Sequence, residues 1–210
     1  MNFNPFLAPL VAGLDVQPDG MRLIELKKRK HIFSIKREHY KALPPAIVSE
    51  EKINDWDAFT YHLQTWVKEE GLQGLAVAVA LPSRVVHRGI MPVSLHLTRE
   101  DIEAEIVFYA QRHFMPYAME WVIDYSVLAE QGLQAEIHYA ITDKHYVQRY
   151  VACLEQAKLN AVSVDVDVLA IKRALPQCLS LYTDEQLWQT LNNNKQLLAF
   201  GLAMRVIDPC

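Results

Sequence analysis

The stretch Leu75-Ala-Val-Ala-Val-Ala-Leu81 decides the fold class of this chain. It is apolar at every position and stops at Pro82. A strand with one solvated face alternates apolar and polar side chains, whereas a strand buried on both faces does not. The stretch therefore predicts a central strand in a sheet that is covered by helices, which is the arrangement of an α/β protein.

Three strands are predicted on the N-terminal side of this stretch. Gly13–Val16 and Met21–Leu26 form a hairpin around the turn Pro18-Asp19-Gly20, and Ile32–Glu38 alternates as a third strand. The basic run Lys27–Lys30 falls where the next turn belongs, and we interpret it as a solvated turn rather than a binding patch. The segment therefore predicts a three-stranded meander.

A helix and an inserted subdomain are predicted further along the chain. An apolar stripe predicts a helix over Ile53–Glu69, closed by Gly71. After Pro82 the pattern changes to strand, helix, strand, strand and helix, over Arg84–Met91, Thr98–Met115, Trp121–Leu128, Gln134–Ile141 and Asp143–Lys158. We assign residues 83–159 to a small inserted α+β subdomain, and residues 1–82 and 160–210 to a main lobe. The rest of the main lobe is predicted as a strand over Ala161–Val166, a helix over Asp167–Ala174 and a largely helical tail to Met204.

Composition limits the classes of function. The 210 residues are 51% apolar and carry a formal net charge of -4, which predicts a real core and no direct binding to nucleic acid. No run approaches the roughly 20 apolar residues that cross a bilayer. The N-terminus lacks a secretory pattern, so we expect a cytoplasmic protein. Three cysteines, eight histidines and the serines show no ligand or nucleophile spacing, which predicts no metal site and no catalytic residue.

Several segments resemble one family of actin-like proteins. Gly13-Leu-Asp-Val16 is similar to that family's opening Gly-Leu-Asp-Ile-Gly strand, and Ile123-Asp-Tyr-Ser-Val-Leu128 to its Asp-Tyr-x-Val strand. Further similar segments are Ile24–Leu26, Asp101–Phe114, Pro116-Tyr117, His145–Leu159, Val164–Ala170 and Leu198–Arg205. In this order and spacing the sequence resembles the PilM family of type IV pilus assembly. The resemblance implies a main lobe with a reduced actin-like (RNase H-like) fold.

The resemblance also bears on a nucleotide cofactor. The family has a phosphate loop after its first aspartate and a second lobe that holds the adenosine pocket. Here Asp15, Gln17, Asp19 and Arg22 stand at the loop, where a proline removes one N–H donor, so we interpret it as vestigial. Only Leu175–Leu197 occupies the place of the second lobe. We therefore expect no cofactor and no enzyme activity.

Three aspartates leave alternatives open. Asp15 has the position that holds Mg²⁺ through water in the family, although we prefer a strand-end carboxylate bonded to the adjacent turn. Asp165 and Asp167 lie close enough in sequence to act as a carboxylate pair. A helix cap from Asp167 at Val168 is the preferred interpretation.

The resemblance implies a scaffold that is recruited to the inner membrane by its partner. PilM relatives bind the cytoplasmic tail of PilN, an inner-membrane protein, and a pilus ATPase is a further candidate partner. We expect the tail to bind on the inserted subdomain near Glu105, Tyr109, Arg112, His113 and Pro116, although local packing also explains the apolar members. The machine is a type IV pilus or a DNA-uptake (competence) system. The alternatives are an actin-like ATPase that completes its nucleotide site by oligomerisation, and a cytoplasmic component of a type II secretion platform.

Overall fold

Two β-sheets organise the chain in a computed structural model. The structure describes residues 11–29, 32–49, 52–113, 120–167, 169–171, 174 and 194–207. The strands are β1 Val11–Gln17, β2 Gly20–Arg29, β3 Ile32–Ala42, β4 Ala76–Leu81, β5 Val86–Ser94, β6 Trp121–Gln131, β7 Gln134–Asp143 and β8 Asn160–Val166. The helices are α1 Trp56–Glu69, α2 Arg99–His113, α3 Lys144–Gln156 and α4 Asn194–Ile207. The chain divides into two compact units, Met1–Ser83 with Val151–Cys210, and Arg84–Tyr150.

The first unit contains a five-stranded sheet in the order β3-β2-β1-β4-β8. Strands β1, β2 and β3 pair antiparallel as predicted, and β1, β4 and β8 run parallel. The predicted central strand is confirmed, because β4 lies between β1 and β8 and buries Val77, Ala78, Val79 and Leu81.

The prediction of a turn at Lys27–Lys30 was wrong for the described part of that run. Strand β2 continues to Arg29, with Lys27 opposite Ser34 and Arg29 opposite Ile32. Ladder hydrogen bonds to β3 hold this extension, and the side chain of Lys27 is exposed. The hairpin is thus longer than the sequence pattern indicated.

Helix α4 packs on one face of the first sheet at very short range. All of its described side chains from Leu197 to Met204 are buried. A Cβ built on Gly13 of β1 would lie 1.8 Å from the carbonyl oxygen of Ala199, and one on Gly201 of α4 would lie 1.9 Å from that of Ala170. Glycine at both positions lets the backbones approach without a clash.

Helix α1 covers the opposite face. Its N-cap is Asp55, whose side chain accepts a hydrogen bond from the Ala58 amide, so the helix begins three residues later than the stripe from Ile53 predicted. Near its end, Glu69 and Glu70 pair with Lys41 and His39 of β3. The apolar side chains buried on this helix are Phe59, Leu63, Trp66 and Val67.

The second unit is a three-stranded antiparallel sheet in the order β5-β7-β6, with helix α2 on one face. Strand β5 begins after a short 3-10 helix over Ser83–Val85, two residues later than predicted. The core of the second unit contains Val93, Ile106, Ala110, Ala135, Ile137, Tyr139 and Ile141. Within the described part of the chain, no helix has both the length and the apolar character that crossing a bilayer requires.

Candidate functional site

One candidate site lies where the parallel strands of the first sheet end. The carboxyl ends of β1, β4 and β8 meet at one edge, which is where open α/β sheets bind ligands. Ser83, just after β4, donates to both carboxylate oxygens of Asp167, just after β8: its amide to Oδ2 at 3.0 Å and its hydroxyl to Oδ1. Asp167 is therefore bonded across the strand ends. Val168, which the cap prediction needs, lies outside the described residues.

Asp15 is the buried acid of this edge. It is 2% exposed, and its Oδ1 accepts a hydrogen bond from Gln17 Nε2 at 2.9 Å, whereas its Oδ2 has no hydrogen-bond partner among the residues that the structure describes. Burial raises the pKa of this carboxyl to about 7, against a lowering by the Gln17 hydrogen bond and by Arg22, and with smaller upward effects from Asp19 and Asp167. Asp15 therefore titrates near neutral pH.

The turn that follows Asp15 does not fit a phosphate group. Strands β1 and β2 are joined by only Pro18 and Asp19, since Gln17 pairs with Gly20. Pro18 has no N–H to donate, and Asp19 adds a negative charge. The Asp19 carbonyl also accepts hydrogen bonds from the Tyr40 hydroxyl at 2.9 Å and, at 3.3 Å, from the amide of Leu43. These two bonds hold the turn against β3 and against the residue that follows β3. With no N–H at Pro18, the turn cannot surround a phosphate with backbone amides.

Arg22 is the nearby cation, and it too is bonded to β3. Its Nε lies 3.4 Å from Glu38 Oε1, and its guanidinium stands 5.0 Å from the centre of the Tyr40 ring.

Asp165, a further carboxylate of this edge, accepts a hydrogen bond from the amide of the next residue, Val166, at 2.8 Å. Among the described residues, no group of three His, Cys, Asp or Glu side chains comes together as a metal site would require. This edge therefore shows internal bonding and one unsatisfied carboxylate oxygen.

A second candidate site is the exposed side of α2. Helix α2 begins with a reciprocal cap: the Thr98 hydroxyl accepts from the Asp101 amide at 3.2 Å, and Asp101 Oδ2 accepts from the Thr98 amide at 3.1 Å. At about 100° per residue, Ile106 and Ala110 face the sheet, and the exposed side runs from residue 113, next to Ile106, through residues 109, 105 and 112 to residue 108. We call this side the outer face of α2; it consists of Glu105, Phe108, Tyr109, Arg112 and His113.

All five residues of the outer face of α2 are exposed, and four of them are arranged by ring contacts. The His113 ring stacks on Tyr109 at 4.2 Å and its Nδ1 lies 2.8 Å from the Tyr109 carbonyl oxygen. Arg112 places its guanidinium 5.5 Å from the centre of the Phe108 ring. Tyr109 also meets the buried Tyr139 edge-on at 6.3 Å, so part of its role is local packing.

The structure brings together four of the five predicted partner-binding residues. Glu105, Tyr109, Arg112 and His113 share the outer face of α2, whereas Pro116 lies outside the described residues. Sequence reasoning missed Phe108, which is 61% exposed and contacts Arg112. The signal was present, because Phe108 precedes Arg112 by four residues and such a pair shares a helix face.

Comparisons with known proteins identify a family that the chain matches. A family model described as "Type IV pilus assembly protein PilM" matches residues 13–192. Among solved structures the chain is similar to the PilM-PilN type IV pilus biogenesis complex, with 20% identity, a TM-score of 0.66 and coverage of 79% of this chain. The match covers 49% of that chain, so this protein spans about half of its length. This likeness confirms the predicted α/β, actin-like fold class.

A looser likeness is to the cytoplasmic domain of EpsL, an inner membrane component of the type II secretion system of Vibrio cholerae. It has 14% identity and a TM-score of 0.43, over 77% of this chain and 56% of that chain. No curated protein matches the chain in sequence.

Proposed function

Since the chain belongs to the type IV pilus assembly protein PilM family, we propose that it is a cytoplasmic scaffold that binds the short cytoplasmic tail of a PilN-like inner-membrane protein. The observation that carries the proposal is the outer face of α2, with its exposed rings and cation. Binding this tail recruits the chain to the inner membrane. In this proposal, residues 83–159 are the inserted subdomain that presents the face, and a pilus ATPase is a second partner.

The chemistry of the outer face of α2 suits a short apolar peptide. Phe108 and Tyr109 are 61% and 37% exposed, which offers ring surface for apolar side chains. Aromatic residues and arginine are the residue types that most often supply the binding energy of protein interfaces. Arg112 can donate to peptide carbonyl groups, and Glu105 can accept from peptide amides or a positive charge. The face therefore has both anchors and hydrogen-bonding groups.

The rings are also ordered before a partner arrives. The stacking of His113 on Tyr109 and the position of Arg112 over Phe108 hold these side chains on the helix. Binding then costs less side-chain entropy than it would for freely rotating side chains. We therefore expect the peptide to bind without a large rearrangement of α2.

The proposed function does not require a nucleotide. The turn has no N–H at Pro18 and carries a negative charge at Asp19, which disfavours a phosphate, and a peptide interface works through apolar and hydrogen-bonding contacts alone. We expect isothermal titration of the chain with a synthetic PilN-like tail to give the same affinity with and without Mg-ATP. Binding that appears only with Mg-ATP would contradict the proposal and favour the alternative of an actin-like ATPase.

Charge reversal at one residue tests the location of the site. Arg112→Glu should weaken tail binding by about tenfold or more, because it removes a donor and places a carboxylate beside Phe108. The thermal melt followed by circular dichroism should not change, since the side chain is exposed.

The matched control is Arg88→Glu, which makes the same change at an exposed position of β5 in the same unit. The control should bind the tail as the unchanged protein does. If both variants lose affinity for the tail equally, the cause is the general change of charge. If Arg112→Glu binds with unchanged affinity, the outer face of α2 is not the binding site.

A further inference from the structure

The basic residues of this acidic chain are concentrated in one hairpin. Residues 25–37 contain six Lys or Arg residues and one acid, Glu25, and so carry a formal charge of +5. The whole sequence has 21 basic and 25 acidic residues, so the remaining residues carry -9. Such segregation of charge in a protein with net charge -4 creates a local positive field that the net charge conceals.

Five of these cations lie on the described strands of the β2–β3 hairpin, and we call them the basic ribbon: Lys27, Lys28, Arg29, Lys36 and Arg37. Among the described residues, the pairing of β1 with β2 starts at Val11, which lies opposite Leu26. Beyond that point β3 is the only partner of β2 among the described residues. The ribbon therefore lies on the part of the β2–β3 hairpin that leads to its turn, where the side chains of Lys27, Lys36 and Arg37 are exposed.

The one acid of the segment, Glu25, is already counted in the charge of +5, and it lies buried beside two of the cations. The Glu25 side chain is 0% exposed, with Arg37 Nε at 2.9 Å from Oε1 and Lys36 Nζ at 3.8 Å from Oε2. Two successive residues reach one carboxylate because a bulge between Glu25 and Leu26 leaves Lys36 as the extra residue of β3. Lys36 and Arg37 remain 41% and 51% exposed, and Lys27 is exposed as well.

We propose that the basic ribbon is an electrostatic contact for an anionic lipid surface. Polybasic segments bind anionic phospholipids through charge within about a Debye length, without a shaped pocket. Ile35 lies among these cations and is 39% exposed, and an apolar side chain beside basic ones is typical of interfacial membrane contacts. The choice of lipid over other polyanions rests on the proposed function, which brings the chain to an inner membrane.

The test uses the full chain and sedimentation with vesicles. One set of vesicles contains phosphatidylcholine only, and the other contains a third of phosphatidylglycerol. We expect binding to the anionic vesicles, weak binding to the neutral ones, and loss of binding when salt rises from about 0.05 M to about 0.5 M. Equal binding to both sets, or none to the anionic set, overturns the proposal.

Two triple variants locate the contact. Lys27→Gln/Lys28→Gln/Arg29→Gln should lower the partition coefficient on anionic vesicles on the order of a hundredfold, at about fivefold per charge. The matched control Lys52→Gln/Lys68→Gln/Arg88→Gln removes the same charge from exposed positions elsewhere and should lose far less. Equal losses overturn the proposal, because they would trace binding to overall charge.

A direct comparison separates lipid from nucleic acid. The full chain should bind anionic vesicles more tightly than single-stranded DNA at the same phosphate concentration; tighter binding to DNA that needs the basic ribbon overturns the proposal in favour of a nucleic acid. The vesicles contain no PilN-like tail. In isothermal titration, the variant Lys27→Gln/Lys28→Gln/Arg29→Gln should bind that tail with the affinity of the unchanged protein. Failure of the lipid contact is therefore distinct from failure of the scaffold function.

Discussion

The face of the first sheet that α4 covers, called here the α4 side, is buried, whereas the outer face of α2 is exposed. On the α4 side the helix backbone touches the sheet at Gly13, and Asp15, two residues further on the same face of β1, is 2% exposed. On α2 the outer face exposes Phe108 and Tyr109. The family resemblance pointed to functional residues in both regions. Asp15 of the first region is buried, whereas the outer face of α2 is exposed to solvent.

The difference indicates what each region can do. A change on the α4 side acts first on folding, because every nearby atom is already in contact with another. A change on the outer face of α2 acts first on binding, because few neighbours inside the unit depend on it. Substitutions that separate stability from binding therefore test the comparison directly.

The largest effect is expected at Gly201 of α4. Alanine normally stabilises a helix by about 1 kcal/mol relative to glycine. Here the new Cβ would lie 1.9 Å from the carbonyl oxygen of Ala170, so overpacking should reverse the sign and cost roughly 3 kcal/mol. Urea denaturation followed by circular dichroism measures the change.

Gly132→Ala is the matched control in the second unit. Gly132 has φ +63° with nothing within 4 Å of the added Cβ, so only backbone strain opposes the change. The expected loss is about 1 kcal/mol. A Gly201→Ala protein that is more stable than the unchanged protein would contradict the close approach of α4 and would make the two regions alike.

The next effect concerns the buried charge of Asp15. Its pKa is raised to about 7, so the folded state holds this proton more tightly than the unfolded state does. That contribution to stability is complete below the unfolded pKa and is lost as the pH rises through about 7. Asp15→Asn cannot ionise, so its stability relative to the unchanged protein should rise by roughly 2–3 kcal/mol between about pH 5 and about pH 8.

Urea titrations at both pH values measure this difference, and Asp124→Asn at an exposed position of β6 is the control for loss of one carboxylate. A relative stability of Asp15→Asn that is constant with pH would show that Asp15 is solvated. The β1–β2 turn would then be as accessible as the outer face of α2, and the contrast between the regions would fail.

Local patterns predicted much of the fold. The unbroken apolar run gave β4, and alternation around Pro18 and Asp19 gave the first hairpin, because these signals lie in consecutive residues. The length of β2 was missed because pairing with β3, rather than composition, holds Lys27–Arg29 in a strand. The role of Gly13 was missed for a similar reason: its neighbour Ala199 is far away in sequence.

The candidate sites were predictable in different degrees. Helical spacing alone places Glu105, Tyr109 and Arg112 on one face, and the structure exposes all three. Whether that face binds a partner stays a prediction. The raised pKa of Asp15 could not be predicted, because it depends on burial in the folded sheet and on Asp167 from another strand end. Spacing in the sequence predicts which residues share a face of one helix or strand. It does not predict the environment that several helices and strands create together.

The smallest effect is expected at the cap of α2. Thr98→Ala removes the hydroxyl that accepts from the Asp101 amide, and the loss of such a cap costs about 1 kcal/mol. The control Thr65→Ala removes a hydroxyl bonded to the Tyr61 carbonyl inside α1, where alanine favours the helix, so stability should not fall. Because the outer face of α2 begins two turns after the cap, fraying at Thr98 should leave tail affinity nearly unchanged. If affinity falls in step with stability, the outer face of α2 depends on folding as strongly as the α4 side does.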